Sequence, residues 1–204
     1  VMLETLGRLG LLEVSLLFAG DKPVSYTLGH ASGRVATTKY LGFDPDFGHL
    51  TYGDQGQRAK QIQTKLTGGD LLVFYAGMRN VNGGGLVYAL IGLYVIEAIL
   101  PVHDVPKSHW DRNAHTRRQF VPGASDIVVT ARRDSSGRLA TCIPIGEYRD
   151  RAYRVTKPLL AAWGGISVND GYLQRSARLP ELNDAARFYD WFQNQKPKLL
   201  PRNN

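Results

Sequence analysis

The chain is poor in the residues that build several common classes of site. It has 1 cysteine in 204 residues, Cys142, which excludes an intrachain disulfide and any metal site made of several cysteines. No apolar run reaches the roughly 18 residues needed to cross a bilayer. The apolar N-terminal stretch is interrupted by charged residues and lacks the pattern of a signal peptide. These absences predict a cytoplasmic protein without a membrane partner.

Familiar motifs for nucleotide binding and catalysis are also missing. The glycine run 83–85 is not followed by Lys and Ser or Thr, and it precedes a predicted strand, so it does not match a phosphate-binding loop. His103, His109 and His115 are spaced by six residues and lack the close pair typical of a metal site. Residues 115–119 instead suit a loop that faces phosphate, although a solvated surface loop has the same composition. The sequence therefore predicts no metal and no cofactor.

The positive charge is unevenly distributed. The formal net charge is +7, and the excess lies after residue 106. A basic half suits a polyanionic partner, because phosphates neutralised by Lys and Arg release counterions. A solubilising surface explains the same excess equally well. The candidates for contacts with a nucleic-acid backbone are Arg58, Arg117, Arg118, Arg132, Arg133 and Arg175.

The order of the predicted elements favours a mixed fold. Strands are predicted at 13–19, 24–28, 70–78, 86–99, 125–132 and 138–145, and helices at 55–66 and 180–195. This order lacks repeated βαβ units. It predicts a single α+β domain over residues 1–195, with a mostly antiparallel, barrel-like sheet and flanking helices. Residues 196–204 are predicted to form a flexible tail.

A long polar loop, residues 29–57, concentrates carboxylates and aromatic residues. Converging carboxylates do acid–base work or hold a metal ion, so Asp44, Asp46 and Asp54 are the catalytic candidates. Asp44 and Asp46 flank a proline, however, and Asp-Pro-Asp is also an ordinary turn. Asp54 is equally suited to cap a helix. Tyr52 offers a ring for stacking on a base, and Asp54 offers an acceptor for a base edge.

The predicted hairpin of residues 70–99 carries polar side chains at the end of its first strand. Tyr75 and Arg79 are assigned to a pocket for a base, whereas the alternative is the core hairpin of a β-rich domain. Gln174 lies in an extended polar segment and is a residue type that reads base edges, although an ordinary edge strand has the same pattern. The predicted base-binding residues are Tyr52, Asp54, Tyr75, Arg79 and Gln174.

Three segments, taken in order, resemble the family called nucleotide modification associated domain 3, which is associated with DNA base hypermodification. They are residues 42–46 leading to 51–54, residues 69–79 with their partner strand, and residues 171–178 before a terminal helix. The middle segment is also similar to the central part of PUA-, EVE- and ASCH-like barrels. The resemblance covers residues 13–195 and implies a PUA/EVE-like barrel in the setting of DNA modification. It carries no catalytic residue over to this chain.

These observations support three hypotheses. The first is a domain that binds nucleic acid, expected to be DNA, or a nucleotide, and holds a modified or flipped base in an aromatic and polar pocket with a basic rim. The second is an enzyme that acts on a base through Asp44, Asp46 or Asp54. The third is a non-catalytic subunit of a modification or restriction complex that docks through the helix at 180–195. The sequence leaves open whether the chain is an enzyme.

Overall fold

The computed structural model describes residues 13–19, 22–29, 44–79, 85–117, 124–173 and 179–203. For residues 13–19 and 22–29 and for Arg79, it describes the backbone only. The strands are β1 Glu13–Ala19, β2 Lys22–Gly29, β3 Thr51–Asp54, β4 Leu71–Arg79, β5 Leu86–Pro101, β6 Ile127–Ala131, β7 Gly137–Pro144, β8 Gly146–Arg149, β9 Ala152–Val155 and β10 Leu199–Leu200. The helices are α1 Gly56–Lys65, α2 Ala114–Arg117, α3 Lys157–Trp163 and α4 Ala185–Asn194, with 3-10 turns at Val102–Asp104, Lys107–Arg112 and Asn169–Gly171.

The long strand β5 organises the main sheet. The strand order is β10-β7-β5-β6-β3, with β4 paired to β5 as well, and every pairing is antiparallel. β1 with β2 and β8 with β9 form separate two-stranded sheets. The antiparallel mixed fold expected from the sequence is confirmed. The strands in the described part of the chain do not close into a barrel, so the PUA/EVE-like barrel is not confirmed.

The main sheet separates two hydrophobic cores. On β4, Leu72 and Phe74 belong to the first core, whereas Leu71, Val73 and Tyr75 belong to the second. Successive side chains of a strand point to opposite faces, which explains this division. α1 covers the first core, and α3 and α4 cover the second; the buried residues of these helices are Ala59, Ile62, Trp163, Phe188 and Phe192.

The terminal helix and the segment after it differ from their predicted form. α4 begins at Ala185, because the side chain of Asp184 accepts a hydrogen bond from the Arg187 backbone N–H at 2.9 Å. Its apolar face, expected to be a docking surface, packs in the second core. The flexible tail was expected over residues 196–204; within the described residues 196–203, β10 pairs with β7. Within the described ranges, no helix is long and apolar enough to span a membrane.

Candidate functional site

A tight turn before β3 positions the first part of the site. The backbones of Asp46 and Thr51 exchange two hydrogen bonds, at 2.8 and 3.0 Å. Phe47 anchors the turn in the first core, where its ring lies 5.6 Å from Phe74 and 5.5 Å from Tyr94, centroid to centroid. The turn brings Asp44 back beside β3, so that its Oδ1 accepts the Gly53 N–H at 2.9 Å.

α2 presents His115 to the same strand. The side chain of Asn113 accepts the backbone N–H of His115 at 2.8 Å and donates to Thr51 Oγ1 at 3.1 Å. The imidazole fits because β3 has a glycine at residue 53; a Cβ there would lie 2.2 Å from Cδ2 of His115. The segment 113–115 is thus fastened to β3 through a buried amide, with the ring of His115 over Gly53.

His115 lies between two carboxylates. Its Nδ1 is 2.6 Å from Oδ2 of Asp126, and its Nε2 is 3.5 Å from Oδ2 of Asp44. Asp126, just before β6, is buried, whereas 26% of the Asp44 side chain is exposed. A carboxylate at one ring nitrogen fixes the tautomer and orientation of an imidazole. The buried carboxylate of Asp126 therefore holds one side of the His115 ring, and the partly exposed carboxyl of Asp44 lies at the other side.

The local environment shifts the acidity of Asp44. Desolvation raises the pKa of its carboxyl above the ordinary value, and the charge of Asp54 acts in the same direction. The hydrogen bonds with His115 and Gly53 oppose this shift but do not cancel it. Asp44 is therefore a weaker acid than an exposed aspartate, which is a common property of carboxyls that transfer protons.

A second group of side chains gathers at the far end of β3. The hydroxyl of Tyr52 donates to Oδ2 of Asp54, and Nε of Arg58, in the first turn of α1, lies 3.4 Å from the same oxygen. Burial, followed by the charges of Asp54 and Asp44, raises the pKa of Tyr52, so the phenol keeps its proton. The two groups form one polar cluster of six residues: Asp44, Tyr52, Asp54, Arg58, His115 and Asp126.

Two arginines lie at the margins of β3, each beside a buried carboxylate. Arg58 pairs with Asp54 as described, and Nη2 of Arg117 lies 3.9 Å from Oδ2 of Asp46. The arginine side chains are 37% and 35% exposed, whereas the aspartates are 4% and 3% exposed. Each guanidinium is thus oriented by the protein and still reaches solvent, which suits contacts with an anionic ligand.

Asp46 is occupied by structural hydrogen bonds. Its Oδ1 accepts from the backbone N–H groups of Gly48 and His49 and from Nδ2 of Asn203, at 2.9 to 3.1 Å, and its Oδ2 faces the His49 ring at 3.0 Å. Burial opposes ionisation, but the hydrogen bonds from His49 and Asn203 prevail and lower the pKa of Asp46. This carboxylate holds the turn together, whereas Asp44 is only partly buried.

The structure does not bring Tyr75 to the polar cluster. Tyr75 packs in the second core, where its hydroxyl donates to the carbonyl of Leu173 at 3.1 Å and its ring lies 6.2 Å from Tyr88. Tyr52 packs against the first core, on the other face of the sheet. The expectation that Tyr52, Asp54 and Tyr75 line one pocket is therefore not met.

The remaining predicted site residues are distributed as follows. Arg132 and Arg133 are exposed in the turn after β6, and Asp44, Tyr52, Asp54 and Arg58 converge as described. The residues whose side chains lie outside the described part of the chain are Arg79, Arg118, Gln174 and Arg175.

Sequence reasoning named His115 only as part of a loop expected to face phosphate, and it missed Asp126 and the pairing of the two residues. Their pairing links α2 to the start of β6, and it follows no motif spacing. The available clue is the glycine between Tyr52 and Asp54, because a glycine inside a short strand often marks the close approach of another group. That clue identifies a contact but not its partner.

Two further features of the described residues bear on ligands. They contain no group of three or more His, Cys, Asp or Glu side chains arranged to hold a metal ion. A cavity of about 350 Å³ lies at the end of α1 and shares no residue with the polar cluster; its lining is Gln63, Leu66, Thr67, Gly68 and Ile99. The ionisable side chains of the polar cluster therefore lie elsewhere, and none of them lines this cavity.

Comparison with known proteins gives one similarity that covers most of the chain. The model of a family described as nucleotide modification associated domain 3 matches residues 15–187. No curated protein and no solved structure shows a significant match. The matched range includes all six residues of the polar cluster.

Proposed function

Because the chain belongs to the nucleotide modification associated domain 3 family, we propose that it binds a nucleotide, or one nucleotide unit of a nucleic acid, at the polar cluster. The observation that carries this proposal is the convergence of Asp44 and His115 beside β3, with Arg58 and Arg117 at its margins. The family description associates the domain with nucleotide modification, and the cluster offers the chemistry that a nucleotide requires.

Each part of a nucleotide finds a complementary group. The partly exposed carboxyl of Asp44 suits the hydrogen-bonding edge of a base, as such edges are read by carboxyl and amide side chains. Arg58 and Arg117 suit phosphate oxygens, since guanidinium groups make strong charge-assisted hydrogen bonds to them. Asp54 orients Arg58 before any ligand arrives. Arg117 is oriented by the carbonyl of Asp111, which accepts from its Nε at 2.7 Å, with Asp46 beside its Nη2.

We propose DNA as the class of ligand. We also propose that the protein acts in the cytoplasm. The positive excess of the chain lies after residue 106. Arg132 and Arg133 extend the basic character beyond the cluster, at the exposed turn after β6. Several cations along the path of a bound DNA strand each contact a different phosphate. They therefore raise the affinity of the protein for DNA more than its affinity for a single nucleotide.

Salt dependence of DNA binding tests this function. Fluorescence anisotropy with labelled single-stranded DNA, between about 50 and 200 mM salt, should show affinity falling steeply as salt rises. Arg58→Gln and Arg117→Gln should each weaken binding and reduce the salt slope by about one. Arg187→Gln, an exposed arginine on α4, is the matched control and should leave both quantities unchanged. No binding by the wild type to DNA, RNA or nucleotides would contradict the proposal.

A second candidate function is an enzyme that acts on the bound base. The observation that favours it is the 2.6 Å contact between His115 Nδ1 and buried Asp126, with Asp44 at the other ring nitrogen. An imidazole oriented by a carboxylate is a common proton-transfer unit. The test is to incubate the protein with DNA of varied base composition and measure the nucleosides by mass spectrometry. A change that His115→Gln abolishes supports the enzyme; tight binding without any change favours the binding domain.

A further inference from the structure

The C-terminal segment reaches the turn that carries the site. β10 pairs with β7, and the backbone N–H of Ala140 donates to the carbonyl of Lys198 at 2.9 Å. Beyond β10, the side-chain amide of Asn203 makes two hydrogen bonds to the turn before β3. Its Oδ1 accepts the Phe47 N–H at 2.7 Å, and its Nδ2 donates to Oδ1 of Asp46 at 2.9 Å. The side-chain amide of Asn203 thus hydrogen-bonds to both the backbone and a carboxylate of the turn.

Asp46 connects Asn203 to an arginine of the site. The carboxylate is 3% exposed, and its other oxygen lies 3.9 Å from Nη2 of Arg117. Asn203 supplies a side-chain hydrogen bond to Asp46 from outside the turn itself. Asn203 therefore helps to orient this buried carboxylate, together with the backbone N–H groups of Gly48 and His49. The carboxylate and the carbonyl of Asp111, which accepts from Nε of Arg117 at 2.7 Å, together position the Arg117 guanidinium.

A second path runs from the same turn towards His115. The backbones of Asp46 and Thr51 are paired, and Thr51 Oγ1 accepts from Asn113, whose Oδ1 accepts the backbone N–H of His115. Thr51 Oγ1 also donates to the carbonyl of Arg112 at 2.6 Å, just before α2. The turn that Asn203 holds is thus the common support of Arg117 and His115.

We propose that Asn203 is a positioning residue of the nucleotide site. It helps to orient the carboxylate of Asp46, which lies beside Nη2 of Arg117, the group proposed to bind a phosphate. This inference rests on the proposed function and adds to it that the C-terminal segment, distant in sequence, sets the geometry of the site. A purely structural role for Asn203 would change stability and leave the phosphate contact of Arg117 as it is.

The test is a double-mutant cycle on full-length protein, read out as salt-dependent binding of fluorescein-labelled single-stranded DNA. Asn203→Ala should weaken binding about tenfold, the scale of one charge-assisted hydrogen bond, and reduce the salt slope by about one. Arg117→Gln should do the same. The double variant should be no weaker than either single variant, because both remove the same phosphate contact. Arg202→Ala, at the exposed neighbouring residue, is the control and should bind as the wild type does.

Asn203→Asp covers the case in which the alanine variant does not fold. This variant keeps an acceptor for the Phe47 N–H but places a carboxylate oxygen against Asp46. It should therefore also reduce the salt slope of DNA binding by about one. Hydrogen exchange at the Phe47 amide reports the link itself and should accelerate in Asn203→Ala. A wild-type salt slope in both Asn203 variants, or additive effects of Asn203 and Arg117 changes, would overturn the positioning role alone. Absence of salt-dependent binding in the wild type would overturn the proposed function, and the positioning role with it.

Discussion

The imidazole of His115 occupies the space that a side chain at Gly53 would need. A Cβ on Gly53 would lie 2.2 Å from Cδ2 of His115 and 2.7 Å from Oδ1 of Asn113. Neither neighbour is able to retreat easily, since Asp126 holds the ring and Thr51 holds the Asn113 amide. β3 therefore accommodates the polar cluster because this position is glycine.

Gly53→Ala should displace His115 and weaken the site. We expect a loss of about 1–3 kcal/mol in the free energy of unfolding, typical of overpacking, together with weaker DNA binding. Urea denaturation and fluorescence anisotropy measure the two effects. Gly85→Ala is the matched control, because a Cβ there meets nothing within 4 Å and should change stability by less than about 0.5 kcal/mol. Equal stability of the two variants would contradict the contact.

The pair of His115 and Asp126 should show strong energetic coupling. Their nitrogen–oxygen distance is 2.6 Å and both are buried, so each single change leaves a desolvated partner. A cycle of His115→Gln and Asp126→Asn should give a coupling energy of about 0.5–3 kcal/mol in urea denaturation. His103 and Asp104 are the control pair: they lie 3.7 Å apart, with side chains 63% and 58% exposed, and should couple negligibly.

Local patterns predict the elements that carry the site. The strand expected at 70–78 is β4 Leu71–Arg79, and the helix expected at 55–66 is α1 Gly56–Lys65. Apolar periodicity and glycine-rich turns encode both, since these signals act over a few residues. Asp44, Tyr52 and Asp54 were identifiable for the same reason, as polar and aromatic residues of one loop.

The partners of these residues depend on contacts between distant parts of the chain. His115 reaches Asp44, and Asp126 reaches His115, only after β5 and the 3-10 turns have returned the chain to β3. The two-residue strand β10 has no periodic signal, so its pairing with β7 was not expected. The separation of Tyr75 from Tyr52 follows from strand alternation on β4, where Phe74 already belongs to the first core.

Tyr52 and Tyr75 should respond differently to removal of the hydroxyl. Tyr52→Phe takes away the donor to Asp54 and leaves that carboxylate with less support beside Arg58, so DNA binding should weaken. Tyr75→Phe removes only the hydrogen bond to Leu173 in the second core and should lower stability by about 0.5–1.5 kcal/mol without changing affinity. Anisotropy and urea denaturation of both variants separate the effects. Weaker binding in Tyr75→Phe alone would contradict the location of the site.

The raised pKa of Asp44 gives its contribution to stability a definite sign. Desolvation raises the pKa of this carboxyl above its ordinary value of 3.8, so the folded state binds more protons than the unfolded state between the two values. Stability therefore falls as pH rises from the unfolded pKa through the folded pKa, and the full cost of ionising Asp44 remains above that window. Asp46 has a lowered pKa and acts in the opposite sense: its contribution to stability is fully present above its unfolded pKa and is lost as pH falls through its folded pKa.

Asp44→Asn should remove the pH dependence that Asp44 causes. The amide keeps an acceptor for the Gly53 N–H but has no charge to desolvate. The free energy of unfolding of the variant minus that of the wild type should therefore increase as pH rises from about 4 towards neutrality, as the linkage relation requires. Asp46 is present in both proteins, so its opposite contribution cancels in the difference. Urea denaturation at a series of pH values measures it, and a difference that stays constant with pH would contradict a raised pKa at Asp44.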